Sequence, residues 1–154
     1  MNALHAFAMF SVGVLLLGWS GLGAAEEPAS FALAAKAYGF PVIDTTITFT
    51  RLAEHTYQVR YSNPPPSPDH LMLYTGFYFC AARKLALNAG FDRFALLPDA
   101  DVAQRDPAAG GITAFLKPGE EGSKVLEPRF VSAQFNSIEL VASNCPAQPT
   151  ATKP

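Results

Sequence analysis

One long helix is predicted by residues 67–91, which run SPDHLMLYTGFYFCAARKLALNAGF. Ser67 suits the N-cap and Pro68 the first helical position, because the serine side chain accepts a hydrogen bond from a backbone N–H and proline has no N–H to satisfy. Gly90 fits the left-handed position that follows the last turn of many helices. The sequence therefore predicts a helix that begins at Pro68 and ends at about Ala89.

The apolar residues of this helix occupy two faces. Because residues three and four positions apart lie on the same side of a helix, one stripe is expected to pack on a sheet. The stripe comprises Leu71, Tyr74, Tyr78, Ala81, Ala82, Leu85 and Ala89. The opposite side carries Leu73, Phe77 and Cys80, and it also needs a cover. Either the C-terminal segment lies over this back face, or Leu73 and Phe77 form a surface that binds a partner.

Two strands are predicted before the helix. Mostly apolar side chains occupy every second position in residues 43–49 and again in residues 57–61. This alternation, with its β-branched residues, is typical of a strand with one buried face. The short connection at residues 51–55 favours an antiparallel hairpin, and the prolines of residues 64–68 end the sheet there.

Shorter strands are predicted after the helix. They cover residues 91–97, 112–116, 129–135 and 137–142, with a polar loop at residues 98–111. The whole pattern predicts an α+β fold, in which one principal helix packs on one face of a mainly antiparallel sheet. The expected order is β-β-α-β, followed by further C-terminal strands.

The N-terminal segment has the features of an export signal. Residues 1–25 contain no Asp, Glu, Lys or Arg, and an apolar run extends from Phe7 to Leu17. Small residues precede the bond after Ala25, which suits cleavage there by a signal peptidase. The alternative is an uncleaved signal-anchor, because the uncharged stretch is long enough to span a membrane. The sequence therefore predicts a signal peptide and a periplasmic or secreted protein.

The rest of the chain divides into three parts. Residues 26–41 are rich in alanine and predict a short helix or an irregular lead-in segment. Residues 42–145 form the predicted α+β domain. Residues 146–154, which include three prolines, predict a disordered tail.

Two cysteines are present, Cys80 and Cys145. In an exported chain an even number of cysteines indicates a disulfide, and closing so long a loop stabilises the fold by about 4 kcal/mol. The alternative is two separate free thiols. A structural zinc site needs four clustered ligands, and only His55 and His70 are available to join the cysteines, so no metal is predicted.

Charge excludes some classes of partner. The net charge is -2, and the longest basic run is the pair Arg83 and Lys84. The chain therefore lacks the positive surface that nucleic-acid binding requires. Membrane contact is expected only if the N-terminal segment stays uncleaved. The remaining partners are an envelope protein or a cell-wall component.

No catalytic motif is found in the sequence. The Gly-x-Ser-x-Gly motif and the glycine-rich phosphate loop are both absent. The Asp99–Asp106 loop also contains Asp101 but lacks the ligand spacing of a calcium loop. His55 and His70 are expected to be surface or capping residues. The sequence therefore predicts a non-catalytic binding or structural module without a cofactor. The alternative is a small hydrolase or metal-dependent enzyme that uses this aspartate loop.

A resemblance to a known family rests on three segments. They are Tyr57-Gln-Val-Arg-Tyr61, the helical stretch YFCAARKLALNAGF at residues 78–91, and Phe94-Ala-Leu-Leu97. Through these segments residues 45–97 resemble a family of small uncharacterised proteobacterial envelope proteins, many of them lipoproteins. The resemblance implies an envelope location and a helix packed on a sheet, and no established activity. A lipid anchor is not implied here, because alanines stand where a lipobox ends in cysteine.

Overall fold

The protein was analysed as a computed structural model, which describes residues 26–97, 106 and 108–147. The central helix α1 spans Leu71–Ala89 and is preceded by a single 3-10 turn at Pro68–His70. Gly90 adopts φ 78° and its N–H donates to the carbonyl of Ala86, so the predicted helix end is confirmed. At the other end Ser67 hydrogen-bonds the ring of His70 and does not cap the backbone.

The described residues form a six-stranded sheet in which all paired strands are antiparallel. The strands are β1 (Ser30–Ala34), β2 (Thr46–Ala53), β3 (Thr56–Tyr61), β4 (Arg93–Leu97), β5 (Ala109–Leu116) and β6 (Asn136–Ser137). Their order across the sheet is β1-β2-β3-β5-β4-β6, and α1 packs on one face. The predicted α+β fold is therefore confirmed.

The N-terminal part of the sheet differs from the sequence prediction. A short helix or lead-in segment is expected at residues 26–41, whereas the structure contains strand β1 followed by a 3-10 turn at Lys36–Tyr38. Phe31 lies opposite Phe49 of β2, and their rings are 6.2 Å apart. The strand forms because pairing with β2 partly buries alternate residues of this alanine-rich stretch.

The predicted strands at residues 129–135 and 137–142 are wrong apart from Ser137, which belongs to β6. The chain forms a short helix α2 at Gly122–Val125, a 3-10 turn at Pro128–Phe130, and a second short helix α3 at Ile138–Ala142. Ser137 accepts a hydrogen bond from the N–H of Glu139 and so caps α3. Phe130 and Val141 of this region are buried in the cores without pairing as strand residues, whereas Val131 and Leu140 are exposed.

Two cores lie on opposite faces of the sheet. The larger one lies under α1, where the Tyr78 and Thr113 hydroxyl groups are 2.9 Å apart and fully enclosed. The smaller one is formed by Ala114, Leu116, Leu126 and Phe130. Strand β5 begins at Ala109, three residues before the predicted start, so it reaches further into the region predicted as a loop.

The back of α1 is covered by the C-terminal segment. Cys80 and Cys145 form a disulfide, with Cα atoms 5.5 Å apart, which confirms the predicted pairing. Arg83 also donates to the carbonyl of Ile138 at the start of α3. The partner surface predicted from Leu73 and Phe77 needs correction, because Phe77 is fully buried against Phe40 while Leu73 is 41% exposed.

Some predictions fall on residues that are not described. They are the signal segment at residues 1–25, Asp99, Asp101, and the tail beyond Ala147. Among the described residues, no helix is both long and apolar enough to cross a membrane.

Candidate functional site

The most concentrated group of charges in the described part of the chain surrounds His55. This residue lies in the tight turn between β2 and β3 and is only 2% exposed. It adopts φ 65°, a left-handed conformation that residues other than glycine rarely take. Such a conformation persists where the surrounding contacts hold it, so the side-chain partners of His55 matter for the turn.

The first partner is Glu27, whose side chain is also buried. Its two carboxylate oxygens contact His55 together: Oε2 accepts from the backbone N–H at 3.0 Å, and Oε1 lies 2.6 Å from ring Nδ1. Arg51 and Lys117 approach the same carboxylate at 3.4 and 3.5 Å. Glu27 therefore fastens the segment before β1 to the β2–β3 turn.

The second partner is Glu120, in the turn that follows β5. Its Oε1 lies 3.2 Å from ring Nε2 of His55, and its Oε2 accepts from the N–H of Lys117 at 2.6 Å. The backbone carbonyl of Glu120 accepts from the Arg93 guanidinium at 2.7 Å. The β2–β3 turn and the turn after β5 are thus joined through one imidazole.

The ring of His55 meets a carboxylate at each nitrogen. A neutral imidazole has one N–H donor, whereas an imidazolium has two, so only the imidazolium donates to Glu27 and Glu120 together. The edge contact with Phe91, at 5.3 Å between ring centroids, closes one side of the site. His55 and Glu27 are therefore buried, while Arg51, Lys117 and Glu120 around them stay partly exposed.

The pKa of Glu27 reflects these contacts. Burial raises the pKa of this carboxyl, but the hydrogen bonds and positive charge of His55, together with Arg51, outweigh burial. The result is a pKa below the usual value of 4.5. Glu27 is therefore ionised at neutral pH and acts as the negative centre of the network.

A metal ion does not fit this cluster as it stands. Glu27, Glu54 and His55 offer ligand atoms within 4.8 Å of one another. However, the 2.6 Å separation of Glu27 Oε1 and His55 Nδ1 is a hydrogen-bond distance, and ligand atoms held about 2 Å from a shared tetrahedral ion lie further apart. Lys117 and Arg51 also supply the positive charge that an ion would bring.

Of the aspartate loop named in the predicted enzyme alternative, the structure describes only Asp106, which does not lie beside His55. Asp106 pairs with Arg60 at 2.6 Å and caps the N–H of Ala108, at the opposite end of β3 from His55. His70 accepts or donates a hydrogen bond with Ser67 at 2.9 Å, beside a cleft of about 350 Å³. The described lining of that cleft does not include Asp106.

An apolar cleft of about 330 Å³ lies between α1 and α3. It is lined by Thr75, Gly76, Phe79, Asn136, Leu140, Val141 and Asn144. The first turn of α1 exposes three large apolar residues: Leu71 at 52%, Met72 at 86% and Leu73 at 41%. Of the predicted partner surface, only Leu73 remains accessible. Leu71, Met72 and Leu73 together are called the first-turn surface.

Sequence reasoning missed the network around His55. It treated His55 as a surface or capping residue, whereas the ring is buried. Glu27 and Glu120 gave no signal, because they lie 28 and 65 residues from His55 along the chain and belong to no motif. Comparison of the chain with protein-family models, curated proteins and solved structures finds no match.

Proposed function

We propose that this chain is an exported protein of the cell envelope, periplasmic or secreted, that acts as a non-catalytic binding module. The observation that carries the proposal is the disulfide between Cys80 and Cys145. Disulfides persist in oxidising compartments and are rare in reducing ones. The apolar, uncharged sequence of residues 1–25 supports the same compartment, because it has the features of an export signal.

The absence of catalysis is supported by how the polar groups are used. A general acid or base must reach the proton that it transfers. His55 is enclosed, and both of its ring nitrogens already contact carboxylates. Asp106, the described member of the aspartate loop, is paired with Arg60. These contacts favour a structural role for the charged residues.

Binding is proposed to occur at the first-turn surface. Its three consecutive residues are all large, apolar and exposed, and exposed apolar patches mark interaction sites. The partner proposed is an envelope protein or a cell-wall component. Nucleic acid is not proposed, because the net charge is -2.

The experiment is site-specific crosslinking in the native envelope. A photo-reactive residue replaces Met72 in the full chain, and the linked product is identified by mass spectrometry. Leu73→Ser should then lower the yield of that product about tenfold, as expected when a central apolar contact is lost. Phe77→Ser is unsuitable, because Phe77 is fully buried and its loss would unfold the domain.

The matched control is Leu87→Ser. Leu87 lies on the same helix and is 49% exposed, but it is near the opposite end from the first-turn surface. The control should leave the crosslinked yield unchanged. Equal losses in both variants would contradict the proposed surface, and recovery of the chain from the cytoplasm with two reactive thiols would contradict export.

A further inference from the structure

The outer edge of β1 presents a row of backbone groups directed away from the sheet. Arg51 N donates to Ala29 O, and Ala35 N donates to Thr45 O, both at 2.9 Å. In antiparallel strands, every second residue forms backbone hydrogen bonds with a given neighbour. Since Ala29 and Ala35 form these bonds on the β2 side, the backbone groups of Phe31 and Leu33 between them are also bonded to β2. The N–H and C=O groups of Ser30, Ala32 and Ala34 therefore point outward.

These outward groups have no hydrogen-bond partner among the residues that the structure describes. Proteins usually protect such edges with charged side chains, proline or bulges. Strand β1 reads Ser-Phe-Ala-Leu-Ala and contains none of these, and its register with β2 is unbroken. The opposite edge is different, because β6 has only two residues.

The side chains of β1 also suit a further strand. Ser30, Ala32 and Ala34 are small and exposed, so they leave room beside the backbone. Phe31 and Leu33 face the core under α1 and are only partly buried. An added strand would cover the remaining apolar surface of these two residues.

We propose that β1 pairs with β1 of a second copy of this chain, antiparallel, about a two-fold axis at Ala32. The outward groups are placed symmetrically around Ala32, so Ser30 meets Ala34 of the other copy and Ala32 meets its counterpart. In the same register, Phe31 of each copy lies opposite Leu33 of the other copy. Both of these pairs lie on the face of the sheet that α1 covers. An isologous interface needs this kind of self-complementarity.

The pairing ends at a dimer. Pro28 precedes β1 and the 3-10 turn at Lys36–Tyr38 follows it, so the available edge is short. Once two copies have paired, the outer edge of β1 is occupied in both. The edge at the other end of the sheet is β6, and its two residues are too few to pair with a further strand. The result is one continuous antiparallel sheet across both copies. This inference is independent of the proposed function.

The test measures the mass of the full chain, in the form that the cell produces, by sedimentation over a concentration series. The mass should rise from that of the monomer toward that of a dimer below ~1 mM, the weak limit of specific association. Ala32→Pro removes the outward N–H of both copies at the axis, and proline is tolerated at a strand edge that faces solvent. Loss of two hydrogen bonds should raise the dimer Kd about tenfold.

A charge exchange identifies the partner as a second copy. Ala32→Lys and Ala32→Glu each place like charges opposite one another at the axis, and each variant alone should associate more weakly than the wild type. Mixed together, the two variants should form a heterodimer, because opposite charges then meet. Gln58→Lys is the control, since Gln58 lies on β3 inside the sheet and the change should leave the Kd unaltered.

Several results would overturn the proposal. A wild-type chain that stays monomeric up to ~1 mM rules out this dimer. A wild-type dimer whose Kd does not respond to Ala32→Pro or to the charged variants uses another surface. Hydrogen exchange provides a measurement without mutation: the Ser30, Ala32 and Ala34 amides should become protected as concentration rises. An unchanged exchange rate, or protection only with an added extended peptide, also contradicts it.

Discussion

At the scale of single residues, the network around His55 shows why a buried charge needs partners. Removing an ion from water costs several kcal/mol, and the cost is offset only when hydrogen bonds and opposite charges replace the water. Glu27 has such replacements from His55, Arg51 and Lys117. The Glu27 side chain therefore holds the N-terminal segment against the β2–β3 turn, through His55, and against the turn after β5, through Lys117.

Glu27→Gln is expected to be strongly destabilising. The amide keeps the shape of the side chain but leaves the positive charges of Arg51 and Lys117 without their counter-charge and changes the hydrogen bonds to His55. Breaking a buried pair in this way typically lowers the free energy of unfolding by about 3–5 kcal/mol. Urea unfolding of the variant and the wild type measures the difference.

The control for this change is Glu121→Gln. Glu121 pairs with Lys124 at 2.9 Å, but both side chains are exposed. An exposed ion pair contributes less than about 1 kcal/mol. If the two variants lose the same small amount, the network is not a major source of stability.

At the scale of elements, α3 depends on the disulfide for its position. The helix has only five residues, and helices of that length are not stable alone. Its attachment to α1 comes from the Cys80–Cys145 bond, from the Arg83 hydrogen bond to Ile138, and from Val141, which joins the main core.

The double variant Cys80→Ala with Cys145→Ala should therefore loosen α3 selectively. The cysteines are 65 residues apart, and opening a loop of that length lowers the free energy of unfolding by about 4 kcal/mol. Amide exchange should speed up in Ile138–Ala142 before it does in β3 and β5. Uniform exchange throughout the domain would contradict a local role for the bond.

The oxidation state of the cysteines is checked separately, on the wild-type protein recovered from the compartment to which export is proposed. Non-reducing mass spectrometry should find the peptides of Cys80 and Cys145 linked, with the mass deficit of one disulfide. Two alkylatable thiols in native exported protein would contradict the pairing in the cell.

At the scale of the whole molecule, the free energy of unfolding should decrease as the pH falls into the acid range. The pKa of Glu27 in the folded chain lies below 4.5, so the unfolded chain takes up its proton first as the pH falls. The contribution of Glu27 is thus complete at higher pH and is lost as the pH falls from about 4.5 through the folded-state pKa.

The difference between the wild type and Glu27→Gln isolates this contribution from that of the other carboxyl groups. Urea unfolding from about pH 6 to about pH 3 should show the stability gap between them shrink toward acid. A gap that stays constant over this range would show that the proton on Glu27 is not linked to folding.

The parts of the fold that were predicted correctly have local signals. The helix end at Gly90 and the β2–β3 hairpin follow from residues close together in sequence. Strand β1 was missed because an alanine-rich stretch has little strand preference, and pairing with β2 decides its form. Too many C-terminal strands were predicted, because residues such as Phe130 are apolar for packing in the smaller core and not for strand pairing. The His55 network has no local signal, since tertiary contacts alone bring its members together.

The burial of Glu27 also sets an order of events in time. Glu27 contacts Lys117, and its partner His55 contacts Glu120, so the complete set of contacts requires the chain up to Glu120. A chain exported N-terminus first delivers Glu27 long before Glu120. If the signal segment is cleaved after Ala25 as proposed, the peptidase therefore acts while Glu27 still lacks these contacts.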